Sequence, residues 1–393
     1  MALRGTNQEF GRPYNRRIVL EAIRLNGPTT RSRIARQVGL TVQTVSTIIR
    51  ELEEQGYLLS LRELPKGRGY PPAALRINPD GGFAVGIHVT PLGIDAGLIN
   101  LNGDVIRAER RDLPRSAPDA AFAVIESLVR DLRATRPSGR MLGVGMALPG
   151  PFGVESMSFV GPTTMVGWSN VALRERLSEA TGLPAFLEAD MAAAALGERL
   201  YGIGASFSEF YYLYFGVGLG GCMMHEGTAL RGAWGNAGEI GHLPLVLDGD
   251  PCPCGNSGCL ERYISLEAYG RRGARIGDAA WVAEVAPLFR SAIATIENLF
   301  DPQTIVLGGL APKALMSRLV EASGTFPNSV AARRDRAAPR VIVSDGGQDT
   351  VLRGAAALAV AGALSPRFGQ MFVHGRETAS DPLLGIAQKG MAA

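Results

Sequence analysis

Gly235 to Glu261 reads GNAGEIGHLPLVLDGDPCPCGNSGCLE and holds three of the four cysteines and one of the four histidines of a 393-residue chain. His242, Cys252, Cys254 and Cys259 form an H-x9-C-x-C-x4-C set. Three thiolates and one imidazole at that spacing suit a tetrahedral zinc ion. Gly255 and Gly258 stand where the chain must turn tightly around an ion. Free cysteines also pack as small buried hydrophobes, but three in eight residues among Gly and Pro favour metal ligation. A redox C-x-x-C is absent.

The same residues carry a resemblance. Gly238-Glu239-Ile240-Gly241-His242, followed by Cys252-Pro253-Cys254-Gly255-Asn256-Ser257-Gly258-Cys259-Leu260-Glu261, resembles the signature of the ROK family of sugar kinases and sugar-responsive repressors. The resemblance implies a two-lobed actin-like ATPase (ribonuclease H-like) sugar-kinase fold with a ligand cleft. It also implies that Glu239, His242 and Glu261 contact sugar hydroxyls. One ring nitrogen of His242 would bind the metal while the other faces the sugar. Four protein ligands leave no open position, so the zinc would be structural.

Composition excludes several classes. Apolar residues make up 46% and charged residues 20%, as in ordinary globular proteins. No apolar run reaches the 18 residues of a membrane span, and Met1 to Arg17 lacks a hydrophobic signal core. A cytoplasmic protein without membrane contact is expected. The net charge of +3 is uneven: residues 1–80 hold 13 Arg or Lys against 7 Asp or Glu, a net of +6. A basic module on a mildly acidic body points to a polyanion at one end.

That module reads as helix, turn, helix. Ile18, Val19, Ala22, Ile23 and Leu25 line one stripe of a first helix ended by Gly27-Pro28. Thr30 caps a second helix and Thr41 a third, with Gly39 turning between them. The third would present Gln43, Thr44, Ser46, Thr47 and Arg50 away from its apolar face, side chains suited to base edges and phosphates. Strands at 57–63 and 73–77 would flank a wing at 66–72, with Arg68 reaching a minor groove or the backbone. The pattern Thr41-x-x-Thr44-Val45-Ser46 with the wing is similar to the winged helix-turn-helix of ROK repressors. The domains expected are a DNA-binding module at 1–80 and a first α/β lobe at 81–190, completed by a helix near 351–363. A second lobe with the metal site would span 191–350, with a tail at 364–393.

Periodicity in the body supports α/β structure: strands at 83–89, 94–100, 105–111, 142–148, 185–187, 210–215 and 304–307 alternate with helices at 118–133, 170–181, 192–200, 265–274, 283–299 and 351–363. Gly216 to Gly221 reads as a glycine-rich turn, and Asp190 as the N-cap of an alanine-rich helix.

Kinases of the family open this body with an Asp-x-Gly-Gly-Thr phosphate loop. Here His88-Val89-Thr90-Pro91-Leu92 stands in its place, without the acid and with a proline lacking an N–H donor. By the resemblance Asp190 holds the position of the kinase base, but Ala189 and Ala192 replace two expected amides. The reading is a non-enzymatic, sugar-responsive regulator, more a repressor than an activator, binding operator DNA as a homodimer or homotetramer. The alternatives are a sugar kinase with a DNA-binding extension and a DNA-binding protein that ignores ligand.

Overall fold

The computed structural model describes residues 11–61, 74–90, 93–113, 117–136, 138–150, 165, 167–168, 171–331, 333 and 335–364. Arg68 with its wing, Pro91, Leu92 and the tail beyond Leu364 lie outside the described residues.

Helices α1 (Gly11–Asn26), α2 (Arg31–Val38) and α3 (Val42–Glu54) open the chain. The Thr30 hydroxyl accepts from the Arg33 N–H to start α2, and Gly39, at φ 68°, ends it in the left-handed region. Thr41 then accepts from the Thr44 N–H to start α3. The expected stripes are buried except at Leu25, which is half-buried: Ile18, Val19, Ala22 and Ile23 meet Ile34, Ala35, Val38, Val45, Ile48, Ile49 and Leu52. Strands β1 (Leu58–Leu61) and β2 (Ala74–Ile77) pair antiparallel, Leu58 opposite Ile77 and Leu61 opposite Ala74. Thr29 adds a bridge to Leu75, completing a winged helix-turn-helix.

The body contains two five-stranded mixed sheets. The first comprises β3 (Phe83–Thr90), β4 (Gly93–Asn100), β5 (Val105–Asp112), β6 (Met141–Leu148) and β7 (Ala185–Ala189). Helix α4 (Pro118–Ala134) lies between β5 and β6; α5 (Leu173–Thr181) precedes β7 and α6 (Asp190–Tyr201) follows it. The second comprises β8 (Glu209–Phe215), β9 (Leu219–His225), β10 (Thr228–Ala229), β11 (Thr304–Gly309) and β12 (Val341–Val343). Their orders, β5-β4-β3-β6-β7 and β10-β9-β8-β11-β12, repeat one plan: an antiparallel meander followed by two parallel strands.

Between β10 and β11 two short helical turns, α7 (Leu266–Ala268) and α8 (Ala274–Ile276), flank a π-helical turn at Tyr269–Gly273. Where periodicity suggested one helix at 265–274, the backbone therefore changes pitch. Helix α9 (Asp278–Phe300) begins five residues before its expected start. It has the length and apolarity to cross a membrane, yet it buries Trp281, Val282, Val285, Phe289, Ile293 and Ile296 in the second lobe's core. Helix α10 (Lys313–Ser323), like β9, β10 and β12, has no counterpart in the sequence reading.

Helix α11 (Thr350–Leu364) packs on the first sheet and on α6. Its approach is close enough that a Cβ at Gly86 would strike the Leu352 carbonyl, and one at Gly145 the Ala355 carbonyl. The helix also joins the helix-turn-helix module. Leu352, Ala356, Ala359, Val360 and Ala363 belong to the same buried cluster as Ile18, Ile23, Ile49 and Leu75. Arg24 of α1 adds a hydrogen bond of 3.3 Å to the Leu200 carbonyl near the end of α6.

Candidate functional site

The metal-ligand cluster is built by local turns. Cys252 N–H donates to the Asn256 carbonyl at 2.8 Å, Gly255 N–H to Cys252 at 3.0 Å and Gly258 N–H to Asp250 at 2.8 Å. Gly258, at φ 72°, presses against the Val246 carbonyl where a Cβ has no room. The single ligand atoms of His242, Cys252, Cys254 and Cys259 all lie within 4.8 Å of one another. Cys254 Sγ is 3.6 Å from Cys259 Sγ, and Cys252 Sγ is 3.6 Å from His242 Nδ1. Bonds of about 2.3 Å to a tetrahedral ion place sulfurs roughly 3.8 Å apart. The cysteines are unpaired as disulfides, and the cluster can hold a metal ion.

His242 faces two ways. Nδ1 looks into the sulfur cluster, while Nε2 lies 4.0 Å from Glu239 Oε2. Glu261 returns to the same place, accepting at Oε2 from the Leu219 N–H at 2.9 Å. Gly241 permits this, because a Cβ there would collide with the Leu219 carbonyl. On the other wall, a Cβ at Gly150 would lie 3.8 Å from both Glu239 Oε1 and the Ala189 Cβ. The ends of β6 and β7 thus meet the Glu239 turn.

Asp190 completes the group. It is not the N-cap: α6 begins at Asp190 itself, and Ala189 holds the cap position without a side-chain bond. Its Oδ1 accepts instead from the Met191 N–H at 2.8 Å. Burial pushes its carboxyl up to about 7; the Glu239 and Glu261 charges add to this and the Met191 N–H opposes it. Burial also raises Glu239, against the attraction of His242, and Glu261, against the Leu219 N–H. Three carboxyl groups and an imidazole therefore converge in a desolvated pocket, a set able to accept hydrogen bonds from several hydroxyls and, through His242 Nε2–H, to donate one.

Neighbouring glycines have packing reasons. Only Gly216 to Gly218 turn; Leu219 to Gly221 already belong to β9, where the sequence reading placed a continuous glycine-rich loop. A Cβ at Gly216 would strike Tyr214, at Gly220 Met191 and at Gly221 Tyr211. Gly308 likewise faces the Tyr212 ring. His88 sits in β3 opposite Asp95, 4% exposed. Burial, then the Arg110 charge, lowers its pKa to about 4, so it is a neutral strand residue.

A pair invisible to spacing supports the pocket. Glu188, buried at the end of β7, is bound by the Arg231 guanidinium. No sequence signal links residues that far apart.

On the DNA-binding module, Gln43, Thr47 and Arg50 are exposed along α3, whereas Thr44 and Ser46 are half-buried. Ser46 Oγ donates to the Val42 carbonyl at 2.7 Å and Thr47 Oγ1 to the Gln43 carbonyl at 3.2 Å. Gln43 and Arg50 thus project as the long side chains of this face. The Arg16–Glu51 ion pair fixes α3 against α1.

Comparison with known proteins places these features. The profile described as "ROK family" matches residues 84–361, and one described as "Winged helix-turn-helix DNA-binding" matches residues 13–58. The chain is 29% identical over 343 residues to a xylose repressor of Caldicellulosiruptor bescii, covering 78% of this chain and 85% of that protein. It is 28% identical over 270 residues to a glucokinase of Halalkalibacterium halodurans, covering 58% and 81%. A crystal structure described as a ROK family transcriptional regulator, homolog of the E. coli MLC protein, superposes with a TM-score of 0.69. It is 22% identical, covering 93% of this chain and 99% of that one.

Proposed function

The chain belongs to the ROK family, and from that premise we propose that it is a cytoplasmic, sugar-responsive transcriptional repressor. The observation that carries the reading is the single apolar core joining α1 and α3 to α11, the helix packed along α6 behind Asp190. A regulator needs such a connection, because ligand can move operator affinity only through elements common to both sites. The winged helix-turn-helix profile at 13–58 and the ROK profile at 84–361 fall on one chain, and the xylose repressor match covers 78% of it against 58% for the glucokinase match.

In this reading Asp190, Glu239, His242 and Glu261 bind the sugar. His242, Cys252, Cys254 and Cys259 hold a structural zinc that fixes the imidazole for ligand contact. Gln43, Thr44, Ser46, Thr47 and Arg50, with Arg68, contact DNA, and a dimer presents two α3 helices to successive major grooves. The module at 1–80, the lobes at 81–190 and 191–350, and α11 closing the first lobe remain the proposed domains. The protein is not proposed to be a kinase, because His88 stands at the position of the acid that kinases of the family use toward the metal nucleotide.

The test is fluorescence anisotropy with DNA from upstream of the protein's own reading frame, at fixed salt, with and without D-xylose and D-glucose. A coupling of about 1–3 kcal/mol shifts operator affinity roughly 5- to 150-fold. Absence of any salt-sensitive binding to such fragments refutes the reading, and ATP-dependent phosphorylation of either sugar replaces it with the kinase alternative.

A further inference from the structure

We infer that Trp234 is a further ligand-contacting residue of this pocket, laying its indole against the C–H face of a neutral, unphosphorylated sugar; the inference rests on the pocket being a sugar site. The chain has three tryptophans. Trp168 and Trp281 are each 1% exposed, while Trp234 is 87% exposed. Single exposed apolar residues are ordinary, but an indole on a tethered loop just before Glu239 has an apolar face free to pack on a bound ligand.

The loop's tethers place it. Leu230 N–H donates to the Met223 carbonyl at 2.8 Å, holding the exit from β10 against β9. Arg231 is bound to Glu188, two residues before Asp190 in the chain. Ala237 N–H closes the loop onto the Arg231 carbonyl at 3.1 Å, and Gly221 N–H donates to Gly238 at 2.9 Å. Glu239 follows at once. Trp234 therefore stands in the middle of a seven-residue loop tied at Arg231 to Glu188, two residues before Asp190, and followed two residues after its end by Glu239. Five residues separate Trp234 from Glu239, a span of at most about 17 Å, so the loop tip stays in the neighbourhood of the pocket mouth. Gly232 and Gly235 flank it at φ 70° and 84°, conformations open to glycine, and no atom crowds Gly235 within 4 Å.

Pocket chemistry supplies the complement. Its hydrogen-bonding groups are Asp190, Glu239, His242 and Glu261. Ala189 and Met191 beside them are apolar and buried. A sugar held by its hydroxyls against carboxylates leaves a C–H face uncovered, and an aromatic ring is the side chain that packs there. The Glu239 and Glu261 carboxylates also repel a phosphate, which selects the neutral sugar.

The experiment uses the full-length, zinc-loaded protein with D-xylose, D-glucose and D-glucose 6-phosphate. Calorimetry measures affinity, and iodide quenching of tryptophan emission reports Trp234, because the other two indoles are buried. The expected results are a several-fold drop in quenching when a neutral sugar saturates the protein and an affinity loss of about tenfold in Trp234→Ala. Trp234→Phe should retain most of the affinity. Unchanged quenching in the sugar complex, or an affinity in Trp234→Ala within twofold of the native chain, overturns the inference while leaving the sugar site standing. Dissociation of a native dimer by Trp234→Ala with sugar affinity retained assigns the indole to a second copy and also overturns it. Tighter binding of the 6-phosphate than of glucose overturns the ligand class. No heat from any of the three sugars on the native chain refutes the underlying sugar-site reading, and the inference with it.

Discussion

Gly218 offers a direct way to perturb the pocket without touching a metal ligand or a proposed sugar contact. Its φ lies outside the positive region, so alanine fits the backbone. A Cβ built there overlaps Glu261 Oε2 and lies 3.2 Å from its Cδ. Gly218→Ala therefore forces the carboxylate aside and breaks its 2.9 Å bond to the Leu219 N–H. A hydrogen bond to a charged group contributes about 1.5–3 kcal/mol, whereas Gly→Ala at a compatible position stabilises by about 0.4–1 kcal/mol. The net expectation is a loss of about 1–2 kcal/mol. In a Glu261→Ala background the obstacle is gone, and the same change should be neutral or slightly stabilising. Equilibrium urea unfolding of the two single variants and the double variant, with zinc present throughout, gives a coupling of about 2 kcal/mol. Gly270→Ala, which meets no atom within 4 Å, is the control and should stabilise by about 0.4–1 kcal/mol. Additivity within about 0.5 kcal/mol would mean that Gly218 and Glu261 act independently and would refute the geometry. Sugar affinity should fall about tenfold in Gly218→Ala if Glu261 binds ligand, since 1.4 kcal/mol is a factor of ten.

Other expectations concern transmission, DNA contact and protonation. Arg24→Met keeps the aliphatic stem but removes the bond to the Leu200 carbonyl; sugar and operator affinities measured separately should hold, while the ratio of operator affinities with and without sugar narrows two- to fivefold, and an unchanged ratio excludes this contact as a link. Arg50→Ala should weaken operator binding and lower the slope of log affinity against log salt by about one; an unaltered slope in an anisotropy titration removes Arg50 from the phosphate contacts. Asp190, with its carboxyl raised to about 7 from 3.8, keeps its proton in the folded chain where the unfolded chain has lost it. Its contribution is therefore present below pH 4 and lost as pH rises through 7, with a slope of at most about 1.4 kcal/mol per pH unit. Asp190→Asn should flatten that part of the stability profile, and identical profiles between pH 4 and 8 would refute the raised value.

What the sequence disclosed was local chemistry. Thr30, Gly39 and Thr41 are legible because capping is decided within four residues, and each performs its expected task. The His242 to Cys259 cluster is legible for the same reason: ligand spacing is short-range, and the side chains converge without help from distant strands. Asp190 was misread by one position, because a carboxylate at the first helical residue satisfies its own turn much as a cap does. The glycine run at 216–221 was read as one turn, since glycines required by the Tyr211 and Met191 side chains inside β9 look identical in sequence to glycines of a turn. Long-range pairings left no trace. Arg231 with Glu188 and Arg24 with Leu200 join residues whose proximity only the tertiary structure creates. The shared sheet order of the two lobes was equally hidden, because short strands such as β10 and β12 carry too few residues for a pattern.

The position of α11 bears on the order in which the protein is made. The core of the DNA-binding module, built from Ile18 to Leu75, is completed by side chains between Leu352 and Ala363. During synthesis the helix-turn-helix emerges first yet must wait for nearly the whole body before its apolar flank is covered. A nascent chain arrested inside the second lobe would display a folded reading head on an unfinished mount, with the flank of α1 open to chaperones. Ribosome-bound fragments ending before residue 350 should therefore be cleaved by protease between the module and the first lobe, and fragments that expose α11 beyond the ribosome should resist. The covered form of the helix-turn-helix flank is thus acquired late in translation, only after the body that carries the candidate sensing site has been built.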